Sequence, residues 1–393
     1  MATAAAGAPV EILEVVRRLE VLVGLDTTVH RSNLELLAHV EQLLDEHRVP
    51  HERIPSPDGT RANLLARIGP PVEGGVVLCA HTDCVPVDGQ PWSRDPFTLH
   101  RDADRLYGRG TADMKGFLAV VLAALPELAR APLRRPVLLA LSYDEEAGTL
   151  GAPSLVERLV ASQPRPEAVI VGEPTSMEVV TAHKGLRAFT LVVHGADAHS
   201  SQPQLAANAI AAVARVATCI DDLATSHQEA AADPRFDPPY TTFNLATITG
   251  GQAINIVPRR CELTWEYRPV PADDSTALRD RIEAFARHEV LPRLRAFTGE
   301  GEIELRDDAV IRALSPDSGT AESLARSLTG YDGPARTVSF GTDGGHFQAA
   351  GLSTVVCGPG SIDQAHRPDE FVGLEQLAAC RAVLSRLVER LSA

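Results

Sequence analysis

With 393 residues, 44% of them hydrophobic, the chain is long enough for two or three domains, or for one domain carrying a large insertion. No apolar run approaches the ~18–20 residues of a membrane span, so a soluble protein is expected. A formal net charge of −15 argues against nucleic acid and anionic membrane as partners.

In chain order, residues 1–13 lack a basic stretch followed by an apolar one, so no signal peptide is expected. Ser32 and Glu35 have the spacing of a capping box ahead of Leu36, Leu37, Val40, Leu43 and Leu44, which recur at helical spacing. Three continuous apolar runs, at 76–80, 136–142 and 168–172, suit strands buried on both faces. Helical patterns at 114–130 and 151–161 separate them, and this alternation predicts an α/β domain with a mostly parallel central sheet. From about Lys184 the pattern changes. Alternating strands at 188–194, 243–248 and 261–268, with helices at 208–223 and 275–295, predict a smaller α+β block with one open face. The polar, Pro-containing segment 226–239 suggests a surface loop. After about residue 298, strand-like runs return at 337–340 and 353–357, and a last helix spans roughly 374–391. The simplest account is one α/β domain, 1–184 and 298–393, interrupted by a block at 185–297. Six cysteines at 79, 84, 219, 261, 357 and 380 make no CxxC pair. They are expected to be reduced thiols, Cys84 a packing residue among them, in a cytoplasmic protein.

Open α/β sheets gather ligand chemistry beyond the carboxyl ends of their strands. Here those ends carry His81-Thr82-Asp83, Asp144-Glu145-Glu146 and Glu173. Asp113 opens the 114–130 helix after the turn Gly108-Arg109-Gly110, and His366 follows a fourth apolar run. Singly, each residue has an ordinary explanation: a helix N-cap for Asp113, a solvated acidic pair for Glu145-Glu146, a loop carboxylate for Glu173. Jointly, their clustering at one sheet edge points to a metal site. Imidazole and carboxylate without thiolate suit zinc, cobalt or manganese. Two histidines and three carboxylates exceed the needs of one tetrahedral zinc and match two metals sharing a bridging carboxylate. One of the paired glutamates then binds metal, and the other is free to act as a general base.

Five motifs in order, at 78–83, 108–116, 144–146, 172–175 and 364–371, resemble those of the M20 metallopeptidase family, with the acetylornithine deacetylase branch the nearest match. The resemblance covers essentially the whole chain. It implies a three-layer catalytic domain interrupted by a ferredoxin-like lid or dimerisation domain. It also implies two divalent metal ions, zinc first, held by His81, Asp113, Glu146, Glu173 and His366 with Asp113 as the bridge. Asp83 would orient the His81 ring, Glu145 would be general base and then general acid, and the Asp113–Met114 peptide would be cis. Within the inserted block the loop 195–201 resembles the one whose histidine reaches an active site, often that of the partner subunit. His199 is thereby assigned to the oxyanion; on its own it would be a turn histidine in a Ser-rich loop. Asn255 and Arg268 are implied to hold substrate, Arg268 by pairing bidentately with an α-carboxylate, although a strand-surface arginine is the plain alternative. Asp343, a turn aspartate between Thr342 and Gly344, is a candidate partner for a substrate ammonium. The implied reaction is hydrolysis of an N-acyl amino acid, N-acetyl-L-ornithine first, in arginine biosynthesis, by a homodimer. The alternatives are a succinyl-diaminopimelate desuccinylase, a broad aminoacylase or peptidase, or an inactive metal- or amino-acid-binding module.

Overall fold

A computed structural model of the chain describes residues 10–317 and 319–393. Residues 1–9, part of the stretch expected to carry no signal peptide, lie outside the described residues. The chain divides into two compact units. The larger comprises the chain up to Ala182 with Leu314–Arg336 and Thr342–Ala393; the smaller comprises His183–Ala313 and Thr337–Gly341. Among the described residues no helix is long and apolar enough to cross a membrane.

The larger unit holds all but the ends of the last two strands of an eight-stranded sheet. Its strands lie in the order His51–Pro55, Ala62–Ile68, Val137–Ser142, Val76–His81, Ala168–Val171, Thr354–Val356, Val180–His183, Arg336–Val338. The four strands from Val137–Ser142 to Thr354–Val356 pair in parallel. Every residue of these four is buried, which explains their unbroken apolar runs. Leu78, Leu139, Ile170 and Val355 share one core with Phe117, Leu118 and Leu128 of helix Lys115–Arg130 and with Leu384 and Leu387 of helix Leu374–Ser392. The helices expected at 114–130, 151–161 and 374–391 are present as Lys115–Arg130, Ala152–Ser162 and Leu374–Ser392.

The expected capping box does not form. Helix Leu34–Glu46 has Asn33 at its N-cap without a side-chain cap bond. The Asn33 amide is committed elsewhere: it donates to the Ala62 carbonyl and the Thr82 hydroxyl, both at 2.8 Å, and accepts from the Ala62 N–H at 3.0 Å. Tertiary hydrogen bonding here outweighs a local motif.

Close packing explains a glycine at the root of the site. A Cβ on Gly172 would sit 2.1 Å from Cγ of the Phe117 ring, and one on Gly358 would sit 2.0 Å from the Gly172 carbonyl oxygen. Gly172→Ala is therefore expected to destabilise the protein by ~1–3 kcal/mol through overpacking. Denaturant unfolding checks this, and an unchanged midpoint would contradict it.

The smaller unit runs strand Leu186–His194, helix Ala209–Ala230, strands Thr242–Gly250 and Arg260–Arg268, helical segments from Ser275 to Arg295, and strand Glu302–Ile311. Its antiparallel sheet has the order Thr242–Gly250, Arg260–Arg268, Leu186–His194, Glu302–Ile311. This β-α-β-β-α-β succession is the ferredoxin-like arrangement the resemblance implies. Phe189, Leu191, Trp265 and Tyr267 pack with Val213, Val216 and Ile220 of helix Ala209–Ala230 in a separate core. Two boundaries differ from the sequence reading. Helix Ala209–Ala230 runs into the segment expected to be a loop. The unit also extends to Ala313, past Phe297, because Glu302–Ile311 is a fourth strand. That edge strand buries only Ile303 and carries Glu304, Arg306, Asp307 and Asp308, so its two-residue apolar period is masked by charge.

Candidate metal centre

Parallel pairing brings the ends of the central strands to one edge. His81 lies in register with Ser142, and Cys79 with Val171. The residues that follow, Asp83, Glu145, Glu146 and Glu173, therefore emerge together. Asp113 does not cap its helix: Met114 holds the N-cap position and no side-chain cap bond forms. The Asp113–Met114 peptide is cis, as the resemblance implies. Asp144 and His366 lie in the left-handed backbone region with φ of 48° and 62°, a conformation in which Asp and His are enriched among non-glycine residues.

The Asp113 carboxylate is the centre of the arrangement. Its Oδ1 lies 2.9 Å from Nε2 of His81, and its Oδ2 lies 3.2 Å from Nε2 of His366. Each histidine also faces a glutamate. His81 Nε2 is 3.6 Å from Glu173 Oε1, and His366 Nε2 is 2.9 Å from Glu146 Oε1. Donor atoms of His81, Asp113 and Glu146 lie within 4.8 Å of one another, and so do those of His81, Glu145 and Glu173. His81 is common to both groups, and by nearest contacts His81 and Glu173 gather on one side of Asp113 while His366 and Glu146 gather on the other. Glu145 stands beside the first pair.

The donor chemistry fits cations. His81 Nδ1 is 3.0 Å from the Asp83 carbonyl oxygen, to which it can only donate. A neutral His81 ring therefore turns a lone pair at Nε2 toward the Asp113 carboxylate, and two lone pairs at that distance require a cation, either a proton or a metal. Asp113, Glu145 and Glu173 are buried, and Glu146 is nearly so, with two imidazoles for balance. Buried carboxylates in that excess need positive charge from elsewhere. The same crowding perturbs proton affinities. Burial pushes Glu145 and Glu173 well above the usual carboxylate range. Burial also pushes Asp113 upward, but hydrogen bonds from His366 and His81 outweigh it and hold that carboxyl below its ordinary value. Hydrogen bonds to Asp113 and Glu146 push His366 up to about 10. His81, Asp113 and Glu173 with His366 and Glu146 are thus residues that could hold two divalent ions.

Asp83 works differently from the expectation. Its carboxylate is 3.6 Å from His81 Nδ1, beyond hydrogen-bond reach, and the ring is oriented by the Asp83 main-chain carbonyl. The carboxylate instead accepts the backbone N–H groups of Glu145 and Glu146, each at 3.1 Å. It fixes the turn that presents both glutamates. Asp83→Asn keeps one acceptor but turns an amide toward a backbone N–H. The expected result is a folded protein with kcat lowered ~10–100-fold, the usual effect of losing such a support. Circular dichroism and steady-state kinetics check it, and full activity would contradict it.

Asp343 is not presented as a substrate partner. It is 1% exposed, its Oδ2 accepts from the Ser142 hydroxyl at 2.6 Å, and its Oδ1 has no hydrogen-bond partner. Burial raises its pKa to about 6. A side chain closed off in this way supports the end of the Val137–Ser142 strand rather than meeting a substrate ammonium.

His199, Asn255 and Arg268 belong to the smaller unit. The loops of the first two pair with each other: His199 bridges Ile256, and the Ser200 N–H donates to the Asn255 carbonyl at 3.0 Å. His199 Nδ1 accepts the Ser201 N–H at 3.2 Å, so the neutral ring carries its proton on Nε2 and can donate from there. Arg268 stands apart. Strand Arg260–Arg268 begins beside His194, next to the His199 loop, and ends beside Arg187, so Arg268 is ~27 Å from that loop at 3.4 Å per residue. Its guanidinium pairs with Glu266 at 3.1 Å. Sequence reasoning assigned no role to Glu370, Arg109, Gln90 or Ser142, whose partners lie far away along the chain. Burial of an acid and an arginine is their distinguishing feature, and no local pattern encodes it.

Residues 77–390 match peptidase family M20/M25/M40. The chain belongs to that family. Among M20 relatives, it is 34% identical over 371 residues to an acetylornithine deacetylase from Proteus mirabilis, covering 93% of this chain and 92% of that one. Its fold is similar to that of a tripeptidase from Staphylococcus aureus, with a TM-score of 0.73, 17% identity and coverage of 97% and 98% of the two chains. A dinuclear metal binding peptidase of the M20 family from Bacillus subtilis has the same fold, with a TM-score of 0.63, 15% identity and coverage of 96% and 97%.

Proposed function

We propose that this M20 protein hydrolyses an N-acyl amino acid, N-acetyl-L-ornithine first, to the free amino acid and the carboxylate. The observation that carries the reading is the Asp113 carboxylate set between His81 and His366, one oxygen to each, with the buried Glu145 beside them. His81, Glu173 and Asp113 would hold one divalent ion, and His366, Glu146 and Asp113 the other, zinc being the first choice for imidazole and carboxylate donors. When bound, such ions supply Lewis acidity that brings the pKa of water toward neutrality and polarises an acyl carbonyl. Glu145 takes the proton of the attacking water and later delivers it to the leaving amine. Burial raises its proton affinity, which strengthens the carboxylate as the acceptor of the water's proton. Asp83 keeps Glu145 and Glu146 on their separate tasks by anchoring both backbone N–H groups.

His199 is proposed as the donor to the oxyanion of the tetrahedral intermediate, a role consistent with its Nε2–H tautomer. Asn255 and Arg268 are proposed as substrate-holding residues, Arg268 on the α-carboxylate. No small acyl amino acid spans the ~27 Å between Arg268 and the His199 loop of one chain. If both touch one substrate, two chains supply them, which supports a homodimer. Strand Thr242–Gly250, an edge of its sheet with Leu245 and Ile248 exposed, suits such pairing.

The deciding experiment assays metal-loaded protein against N-acetylornithine, N-succinyl-diaminopimelate and acetylated neutral amino acids. The highest kcat/KM is expected for N-acetylornithine. A preference for the succinyl substrate would move the chain to the desuccinylase branch, and no turnover of any acyl amino acid would overturn the reading.

A further inference from the structure

Beside the proposed metal ligands lies a buried ion pair that the reaction does not use. Glu370 and Arg109 are each 1% exposed, with Oε2 to Nη1 at 2.7 Å. The pair is more than mutual neutralisation. Glu370 Oε1 accepts the N–H groups of Ala112 at 2.9 Å and Asp113 at 3.1 Å, and Oε2 also accepts that of Gly110 at 3.1 Å. These N–H groups belong to an irregular turn between strand Arg105–Tyr107 and helix Lys115–Arg130. With neither helix nor ladder to pair them, they depend on this one carboxylate, and charge-assisted bonds of this kind are about twice as strong as neutral ones. The main chain adds a fifth link: the Gly108 N–H donates to the Glu370 carbonyl at 2.9 Å. A small antiparallel sheet puts the two segments side by side, with Phe371 paired to Tyr107.

Arg109 faces the other way, toward the loop that bears His366. Its Nη1 reaches the Arg367 carbonyl at 3.4 Å, and its Nη2 donates to Gln90 Oε1 at 2.6 Å. The Gln90 amide then donates to the His366 carbonyl at 2.9 Å. The guanidinium also lies over the Trp92 ring, 5.0 Å from its centroid. One buried acid thus holds the backbone of Asp113, and its ion-pair partner, through Gln90, is linked to the backbone of His366.

We propose that Glu370, with Arg109 and Gln90, is a positioning clamp that fixes Asp113 and His366 relative to one another and thereby sets the affinity of the ion shared by Asp113, Glu146 and His366. The inference rests on the ligand assignment proposed above. The ion held by His81 and Glu173 shares Asp113 but has no link to the His366 loop, so the clamp acts on the two ions unequally.

The test is stepwise metal titration of the full-length metal-free protein with Zn²⁺ against a chromophoric chelator, for the wild type, His366→Ala, Glu370→Gln and Gln90→Ala. Wild-type protein is expected to bind two equivalents and His366→Ala one. Glu370→Gln is expected to weaken one equivalent ~10–100-fold while changing the other less, with Gln90→Ala weakening the same equivalent to a smaller degree. If Glu370→Gln does not fold, as judged by circular dichroism, Gln90→Ala decides, since it leaves the buried pair intact. Equal weakening of both equivalents, or no change in either, overturns the clamp. A His366→Ala variant that still binds two equivalents overturns the ligand assignment instead, so the two failures are distinguishable.

Discussion

Glu145→Ala should bind both metal equivalents and lose nearly all turnover, with kcat lower by ~10²–10⁴-fold, the range supplied by a positioned general acid–base group. Under the proposed ligand assignment, Asp113, two histidines and two other glutamates hold the ions, and Glu145, whose donor atom lies within 4.8 Å of those of His81 and Glu173, stays free to move the proton. Its backbone N–H is held by Asp83 independently of its side chain, so truncation leaves the turn and Glu146 in place. KM should change little, because the residue acts on the water and the leaving amine rather than on ground-state binding. Metal analysis together with steady-state kinetics checks the split. Retained activity would remove Glu145 from the proton path, and loss of a metal would make it a ligand.

Asp113→Ala should have the widest effect. Its two oxygens face two different histidines, so its removal withdraws a ligand from both ions at once. Both equivalents are expected to weaken, and activity should fall by more than the ~10–100-fold typical of losing a residue one shell further out. Stability reports the same event independently. Ions bound only to the folded state stabilise it by about 2.7 kcal/mol at one hundred times their Kd. A chelator should therefore lower the Tm of the wild type and leave that of Asp113→Ala unchanged. A variant that keeps two ions and a chelator-sensitive Tm would show that Asp113 is not shared.

Much of the catalytic unit was legible because its elements are local. A strand buried on both faces must be apolar throughout, and the polar residue that ends it stands out, as His81, Glu145 and Glu173 do. The fourth strand of the smaller unit was not legible, since an edge strand with solvent on most of its residues carries charges where a pattern would show apolar ones. The Ser32–Glu35 capping box does not form for a related reason: the helix starts after Asn33, whose side chain bridges to the buried Ala62 carbonyl and Thr82 hydroxyl instead of capping.

The residue types of the site, their order and their placement at strand ends were determined by the sequence alone, because burial and periodicity act over a few residues. The tertiary structure alone decided the rest. It set which Asp113 oxygen faces which histidine, moved Asp83 from a ring partner to an anchor of two glutamates, closed Asp343 off from solvent, and put Arg268 at the far end of a strand from His199. It also joined Glu370 to a turn some 260 positions earlier. Hydrogen bonds are directional and extend over a few ångströms, so their partners are chosen only after the packed sheet has brought distant segments together.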